Sequence, residues 1–138
     1  MRRQAWPILV GAEDYREILV AESDWKHVNL DVARMMNTNG DDSLKDVIGR
    51  SCQIYFQGYH KVADFVCRIM KDDDVAVSIL SRLYRVYFSK YIDNNMVLVP
   101  FLQHFVPPML WYLDFELHDA IGDDVTYCAA WILTWFTN

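Results

Sequence analysis

The fold is decided by the segment from residue 32 to residue 42, which reads VARMMNTNGDD. Val32, Met36 and Gly40 follow one another at intervals of four, so they share one face of a helix. The small Gly40 lets another backbone come close to that face. Asp41 and Asp42 suit the start of a following helix, where carboxylates meet unpaired N–H groups. The segment predicts a helix, a glycine stop and a second helix that begins at the aspartates.

The chain on both sides of this segment also has helical periodicity. Two segments keep apolar residues at intervals of three and four, namely residues 59 to 70 and residues 125 to 136. The alternating pattern of a half-buried strand is missing. We predict an all-α fold with helices over residues 12 to 23, 29 to 39, 42 to 52, 58 to 71, 74 to 92, 95 to 106, 108 to 121 and 124 to 136.

The predicted helix over residues 74 to 92 is apolar around nearly its whole circumference, which is typical of a central helix. One narrow polar stripe remains, formed by Ser78, Arg82, Arg85 and Ser89 at spacings of four, three and four. A polar stripe on a buried helix needs water or a partner.

Acidic residues and prolines mark the predicted helix ends. Asp41-Asp42, Asp72-Asp73-Asp74 and Asp123-Asp124 each precede an apolar run, as N-caps and first-turn charges do. Pro107 and Pro108 would remove two consecutive N–H donors from a helix interior, so we expect one helix to end and another to begin there.

Composition limits the class of protein. The 138 residues, 53% of them hydrophobic, predict one domain over residues 1–138. A net charge of −6 argues against nucleic-acid binding. Cys52, Cys67 and Cys128 are odd in number and lack metal spacing, which favours a reducing compartment. The short apolar runs near the two ends favour neither a signal peptide nor a transmembrane anchor.

No catalytic constellation is visible. The four histidines are far apart, and no Walker, Rossmann or G-x-S-x-G pattern occurs. The cysteines have no neighbouring base that would activate a thiol. We therefore expect no enzyme activity, no cofactor and no metal site.

Three further segments accompany the first one, in the order 58–73 (GYHKVADFVCRIMKDD), 75–78 (VAVS) and 121–127 (IGDDVTY). Their order and spacing resemble the homology motifs of the Bcl-2 family, and the short chain looks most like the versions carried by large DNA viruses. The resemblance covers roughly residues 30 to 130. It implies a Bcl-2-like bundle of about eight helices around a central apolar helix.

The resemblance also implies a hydrophobic groove, formed by the second through fifth helices, that receives the helical homology segment of pro-death relatives. Carried onto this chain, the groove lining is Leu44, Val47, Ile48, Phe65, Ile69, Ile79 and Val86. The alternative reading is that all seven are ordinary core residues.

The chain departs from the family at the start of the fifth helix. Prosurvival relatives usually carry N-W-G-R there, whereas this chain has Ala76-Val77-Ser78-Ile79. Ser78 keeps the small position, and Ile79 replaces the arginine that pairs with the ligand's aspartate. Arg82 lies three residues further, on nearly the same helix face, and is the candidate replacement. The alternative is that Arg82 is only a solvated residue of the polar stripe.

The resemblance predicts a prosurvival protein that sequesters pro-death helices in the host cytoplasm and peripherally at mitochondria. The alternative is a viral Bcl-2-fold inhibitor of innate-immune signalling adaptors that uses another face. A pro-death executioner is disfavoured because no membrane-inserting tail is seen. Trp131 and Leu133 fall off the buried face of the last predicted helix, which predicts a homodimer or other self-association.

Overall fold

The computed structural model describes residues 2–12, 17–35, 41–92, 98–134 and 137. Within these ranges the chain is all-helical, with no β-strand and one isolated parallel bridge between Ile18 and Ser51. A 3-10 turn (Glu22–Asp24) precedes α2, and a π-helical turn (Tyr84–Phe88) joins α5 to α6. The helices are α1 (Arg2–Val10), α2 (Trp25–Arg34), α3 (Asp41–Ser51), α4 (Tyr59–Met70), α5 (Asp73–Leu83), α6 (Ser89–Ile92), α7 (Leu98–Leu113), α8 (Phe115–Ile121) and α9 (Thr126–Leu133).

The helix α5 is central, as its all-round apolar sequence predicts. It contacts α1, α3 and α4. Asp72 caps its first turn by accepting a hydrogen bond from the Val75 amide at 3.1 Å. The helical backbone then continues through the π-helical turn to Ile92, which confirms the predicted helix over residues 74 to 92 to within one residue.

The main core lies between α2, α3, α4 and α5. The predictions for α3 and α4 are confirmed to within one residue at each end. At the surface, Arg50 on α3 forms ion pairs with Glu17, Asp46 and Asp74 at 2.7 to 3.0 Å. These ion pairs join α3 to the segment before α2 and to the start of α5. The largest side chains with almost no exposure are Tyr59, Ile48, Ile79, Leu80, Val28, Val32, Val47, Val62, Val66 and Val77.

A second apolar cluster joins α7 to α9. Leu102 on α7 packs with Val125 and Cys128, and Val106 and Ile132 pack against them. Asp124 accepts a hydrogen bond from the Thr126 amide at 2.9 Å, so the predicted acidic start of this last helix is confirmed. No helix in the described part of the chain has the length and hydropathy needed to cross a membrane.

The predicted helix over residues 12 to 23 is wrong where the structure describes it. The amides of Ile18, Val20 and Ala21 donate to the carbonyls of Arg50, Gly49 and Gln53 at 2.9 to 3.0 Å. An extended segment thus satisfies carbonyl groups at the end of α3 that an α-helix leaves without an internal partner. Residues 13–16 lie outside the described ranges.

The predicted break at Pro107 and Pro108 is also wrong. Both prolines lie inside α7, and the helix ends only at Leu113. Proline fixes φ near the helical value, so the backbone can continue although two N–H donors are lost. The break falls instead at Asp114, which caps α8 by accepting from the Leu117 amide at 3.0 Å.

The remaining differences lie near the two ends of the described chain. α9 spans Thr126–Leu133, whereas the predicted helix covered residues 124 to 136, of which 135 and 136 lie outside the described ranges. α1 was not predicted, because Pro7 interrupts its short apolar run. α2 begins at Trp25 rather than residue 29 and ends at Arg34. The glycine stop at Gly40 lies outside the described residues, as does the segment 36–39 before it.

Candidate functional site

An apolar groove of about 770 Å³ lies between α1 on one side and α4 and α5 on the other. Apolar residues at intervals of three and four lie on one face of α4, and the packing of this face on α5 creates the floor of the groove. The floor consists of buried Val62, Val66 and Leu83. The lining is completed by Trp6, Leu9, Val10, Phe65, Arg82, Val86, Tyr87 and Thr137.

Large apolar side chains of the groove are open to solvent. Phe65 is 43% exposed, Tyr87 is 49% exposed and Leu9 is 79% exposed. Exposed apolar side chains gathered in one concave surface are a usual mark of an interaction site. The groove volume is in the ordinary range for binding sites, roughly 300–1,000 Å³.

Arg82 supplies a cation to the wall of this groove. Its Nε donates a hydrogen bond to the Val10 carbonyl at 3.2 Å. This carbonyl belongs to the last turn of α1, where cationic side chains are favoured by the helix dipole. Gly11 follows in the left-handed region at φ +66°, which ends the helix beside the guanidinium. Arg82 therefore caps α1 and faces the groove at the same time.

The structure brings three of the nine predicted site residues together in the groove, namely Phe65, Arg82 and Val86. Ile69 is half-buried against the main core, and the Ser78 hydroxyl donates to the Val75 carbonyl within α5 at 2.8 Å. Neither of these two residues lines the groove. The other four belong to the core and do not reach the groove: Leu44, Val47, Ile48 and Ile79.

The polar stripe on the central helix is largely satisfied by the protein itself. Ser78 and Arg82 have the partners given above, and the Ser89 hydroxyl donates to the Arg85 carbonyl at 3.0 Å. The stripe therefore does not require a ligand.

A buried polar cluster that the sequence did not reveal lies where α2 meets the start of α4. The Tyr55 hydroxyl donates to Asp31 Oδ2 at 2.9 Å and lies 2.7 Å from His60 Nδ1. All three residues are less than a tenth exposed. A phenol has one proton, and it goes to the carboxylate, so His60 donates its Nδ1 proton to the Tyr55 oxygen. The Asp24 carboxylate accepts a further hydrogen bond from the Tyr55 amide at 2.8 Å.

Burial sets the protonation of this cluster. It lowers the pKa of His60 below its usual value, although Asp31 acts in the opposite direction. Burial also raises the pKa of Tyr55, with Asp31 adding to the effect. The neutral imidazole and phenol are therefore the stable forms, and the cluster fixes α2, the segment before α4, and α4 itself.

The thiols of Cys52 and Cys67 lack the lowered pKa that marks a nucleophile. Burial raises the pKa of Cys52 and of Cys67 to about 12, so both stay protonated near neutral pH. The three cysteines are free. No group of three or more His, Cys, Asp or Glu side chains suited to a metal ion occurs among the residues that the structure describes.

A sequence signal for the cluster was present but weak. Asp31 stands between Val28 and Val32 on the buried face of α2, and His60 follows the buried Tyr59. A polar residue on an apolar face requires a hydrogen-bond partner. Its partner was not identifiable, because Tyr55 lies in a segment without helical periodicity.

Comparisons of the chain with models of known families, with curated proteins and with solved structures returned no match. The family resemblance thus rests on the sequence motifs alone.

Proposed function

We propose that this chain is a Bcl-2-like prosurvival protein whose groove between α1, α4 and α5 holds the helical homology segment of pro-death relatives. By sequestering such helices it would keep them from acting at mitochondria, in the cytoplasm of the host cell. The observation that carries the proposal is the groove itself, in which exposed Phe65 lies with Val86 and Arg82.

The shape and chemistry of the groove support a helix as its occupant. A helix-binding groove takes apolar side chains at helical spacing and fixes their register with a polar contact. Here the floor is apolar along α4 and α5, and the cation of Arg82 lies in one wall. The expected ligand is an amphipathic helix with apolar anchors and one acidic residue opposite Arg82.

The family assignment is part of the same proposal. Four sequence motifs in order, a central apolar helix and an all-helical bundle are the features that support it. The finer arrangement of about eight helices in the family's order remains a prediction. The groove differs from the predicted one because α1 forms a wall that the sequence did not reveal.

The test is a titration of the purified full chain against labelled peptides from a panel of pro-death homology segments, followed by fluorescence anisotropy. We expect micromolar or tighter affinity for at least one peptide. Phe65→Ala should weaken that affinity at least tenfold, because a few buried apolar anchors carry most of the binding energy of such interfaces.

Leu19→Ala is the matched control, since Leu19 is 69% exposed and does not line the groove. It should leave the affinity unchanged. Equal affinities for wild type and Phe65→Ala would place the binding site elsewhere. Failure of every peptide to bind would overturn the proposal and favour the alternative, an inhibitor of innate-immune adaptors that uses another face.

A further inference from the structure

The outer face of α7 carries an apolar stripe that is open to solvent. Phe101, Phe105, Met109 and Tyr112 are 52%, 54%, 52% and 82% exposed. At 100° per residue they fall within an arc of about 80° on the helix. The rings of Phe101 and Phe105 lie against each other, with centroids 4.6 Å apart. We call these four residues the α7 stripe.

The stripe and its apolar neighbours have the size of a stable interface. Fully buried aromatic side chains account for about 150–250 Å² each, so the stripe exposes on the order of 450 Å². Leu113 continues the stripe at the end of α7, and exposed Phe115 and Leu117 follow on α8. They increase the apolar surface to roughly 700 Å² per chain, close to the roughly 800 Å² that each partner contributes to a standard protein interface.

The charge pattern favours a second copy of the same chain as the occupant. Residues 98 to 113 contain no Asp, Glu, Lys or Arg, although the whole chain has a net charge of −6. A neutral stripe offers no charge complementarity to an acidic or basic partner, whereas two neutral stripes can meet without repulsion. A membrane surface is disfavoured, because peripheral helices use basic residues on their polar face and this helix has none.

The acidic residues after α7 set the direction of such a pair. Asp114 and Glu116 follow the end of the helix. In a parallel pair these carboxylates of the two copies would lie side by side, which costs energy. In an antiparallel pair they lie near the partner's α7 N-terminus, where the helix dipole favours negative charge.

We propose that the protein forms a homodimer in which the α7 stripes of two copies pack antiparallel across a two-fold axis. This interface is distinct from the groove, whose lining comes from α1, α4, α5, the π-helical turn and Thr137. Trp131 on α9 is also 47% exposed. We place this interface on the α7 stripe, which has four exposed apolar side chains within one arc; the interface at Trp131 and Leu133 stays a separate prediction.

The first test is sedimentation equilibrium of the full chain from about 1 to 100 μM. We expect a species of twice the 16.3 kDa monomer mass. Tyr112→Glu, at the most exposed stripe position, should shift the mass to that of the monomer with unchanged far-ultraviolet circular dichroism. Leu19→Glu, at an exposed position far along the chain, should remain dimeric. A monomeric wild type, or a dimer that persists in both Tyr112→Glu and Phe105→Glu, would overturn the proposal.

The second test determines direction by oxidative cross-linking of single cysteine variants. In an antiparallel pair centred on the stripe, residue 105 of one copy lies near residue 105 of the other. The two copies of residue 101 are separated by about 16 Å along the helix axis. Phe105→Cys should therefore form a disulfide-linked dimer and Phe101→Cys should not. The wild type controls for the three natural cysteines. Equal cross-linking of both variants would indicate a parallel pair and contradict the proposed geometry.

Discussion

At the scale of single residues, the cluster of Asp31, Tyr55 and His60 connects a protonation state to the stability of the fold. Each member is buried and each satisfies a hydrogen bond of another member. Loss of one partner would leave buried polar groups unpaired, at a cost of about 1–3 kcal/mol. The cluster therefore makes the packing of α2 against α4 sensitive to the charge on His60.

We predict that His60 contributes a pH dependence to stability. Its pKa is lowered in the folded state by burial, so the unfolded chain binds more protons as pH falls through about 6.5. The contribution is fully present above that pH and is lost as pH falls towards the folded pKa. In His60→Gln the decline in the free energy of unfolding between pH 7 and pH 5 should be smaller. The exposed His27→Gln is the control, and parallel curves for wild type and His60→Gln would contradict the assignment.

Gly49 sets the distance between α2 and α3. A Cβ at this position would lie 2.7 Å from Cη2 and 2.8 Å from Cζ2 of Trp25. Gly→Ala in a helix interior normally stabilises by up to about 1 kcal/mol. Here we expect Gly49→Ala to destabilise by about 1–3 kcal/mol in urea denaturation, because the indole has to move. Trp25→Phe should relieve part of that cost. A Gly49→Ala variant as stable as wild type would show that the contact is loose.

At the scale of the elements, α7 tests how a helix accommodates consecutive prolines. Pro107 and Pro108 remove the donors that would bond the carbonyls of Gln103 and His104. A proline in a helix interior costs about 3 kcal/mol relative to alanine. Pro108→Ala, at an exposed position, should therefore raise the free energy of unfolding.

Pro100→Ala is the matched control for that variant. Pro100 lies in the first turn of α7, where the amide has no helical acceptor. Its replacement should change stability by less than about 1 kcal/mol. If a second helix began at Pro108, as the sequence predicts, proline would be favoured there and Pro108→Ala would be neutral or destabilising.

Helical periodicity predicted α3, α4 and the central helix to within a residue, because their apolar faces pack on one another. It failed for residues 17–21, whose amides bond the end of α3 instead of their own helix. Periodicity also shows that Val47 and Ile79 face inward but does not distinguish a core from a groove. Phe65, Arg82 and Val86 were identified by the family resemblance, whereas the wall formed by α1 had no sequence signal.

At the scale of the whole molecule, the groove and the α7 stripe are separate surfaces with different chemistry. The groove contains a cation in an apolar wall, and the stripe is neutral. The first suits an amphipathic ligand with an acidic residue, and the second suits an identical surface. A dimer can then hold one ligand helix in the groove of each of its two copies.

We predict that Arg82 contacts the aspartate of the bound helix. Its Nε already bonds the Val10 carbonyl, but a guanidinium has five N–H donors. Arg82→Ala and the ligand's Asp→Ala should each weaken binding. The double change should be less than additive by about 0.5–3 kcal/mol in a double-mutant cycle measured by anisotropy. Because Arg82→Ala also removes the cap of α1, the free energy of unfolding of this variant is measured separately. Additive losses would mean that the two groups never meet.

The central claim is that a pro-death helix binds between α1, α4 and α5. It is tested most directly by following the backbone amide signals of the 15N-labelled protein during titration with the best-binding peptide. The predicted result is that the signals of Leu9 and Val10, of Val62 to Val66 and of Arg82 to Tyr87 shift most, while those of α8 stay in place. A titration without shifts for any peptide, or with its largest shifts in α7 and α8, would contradict the claim.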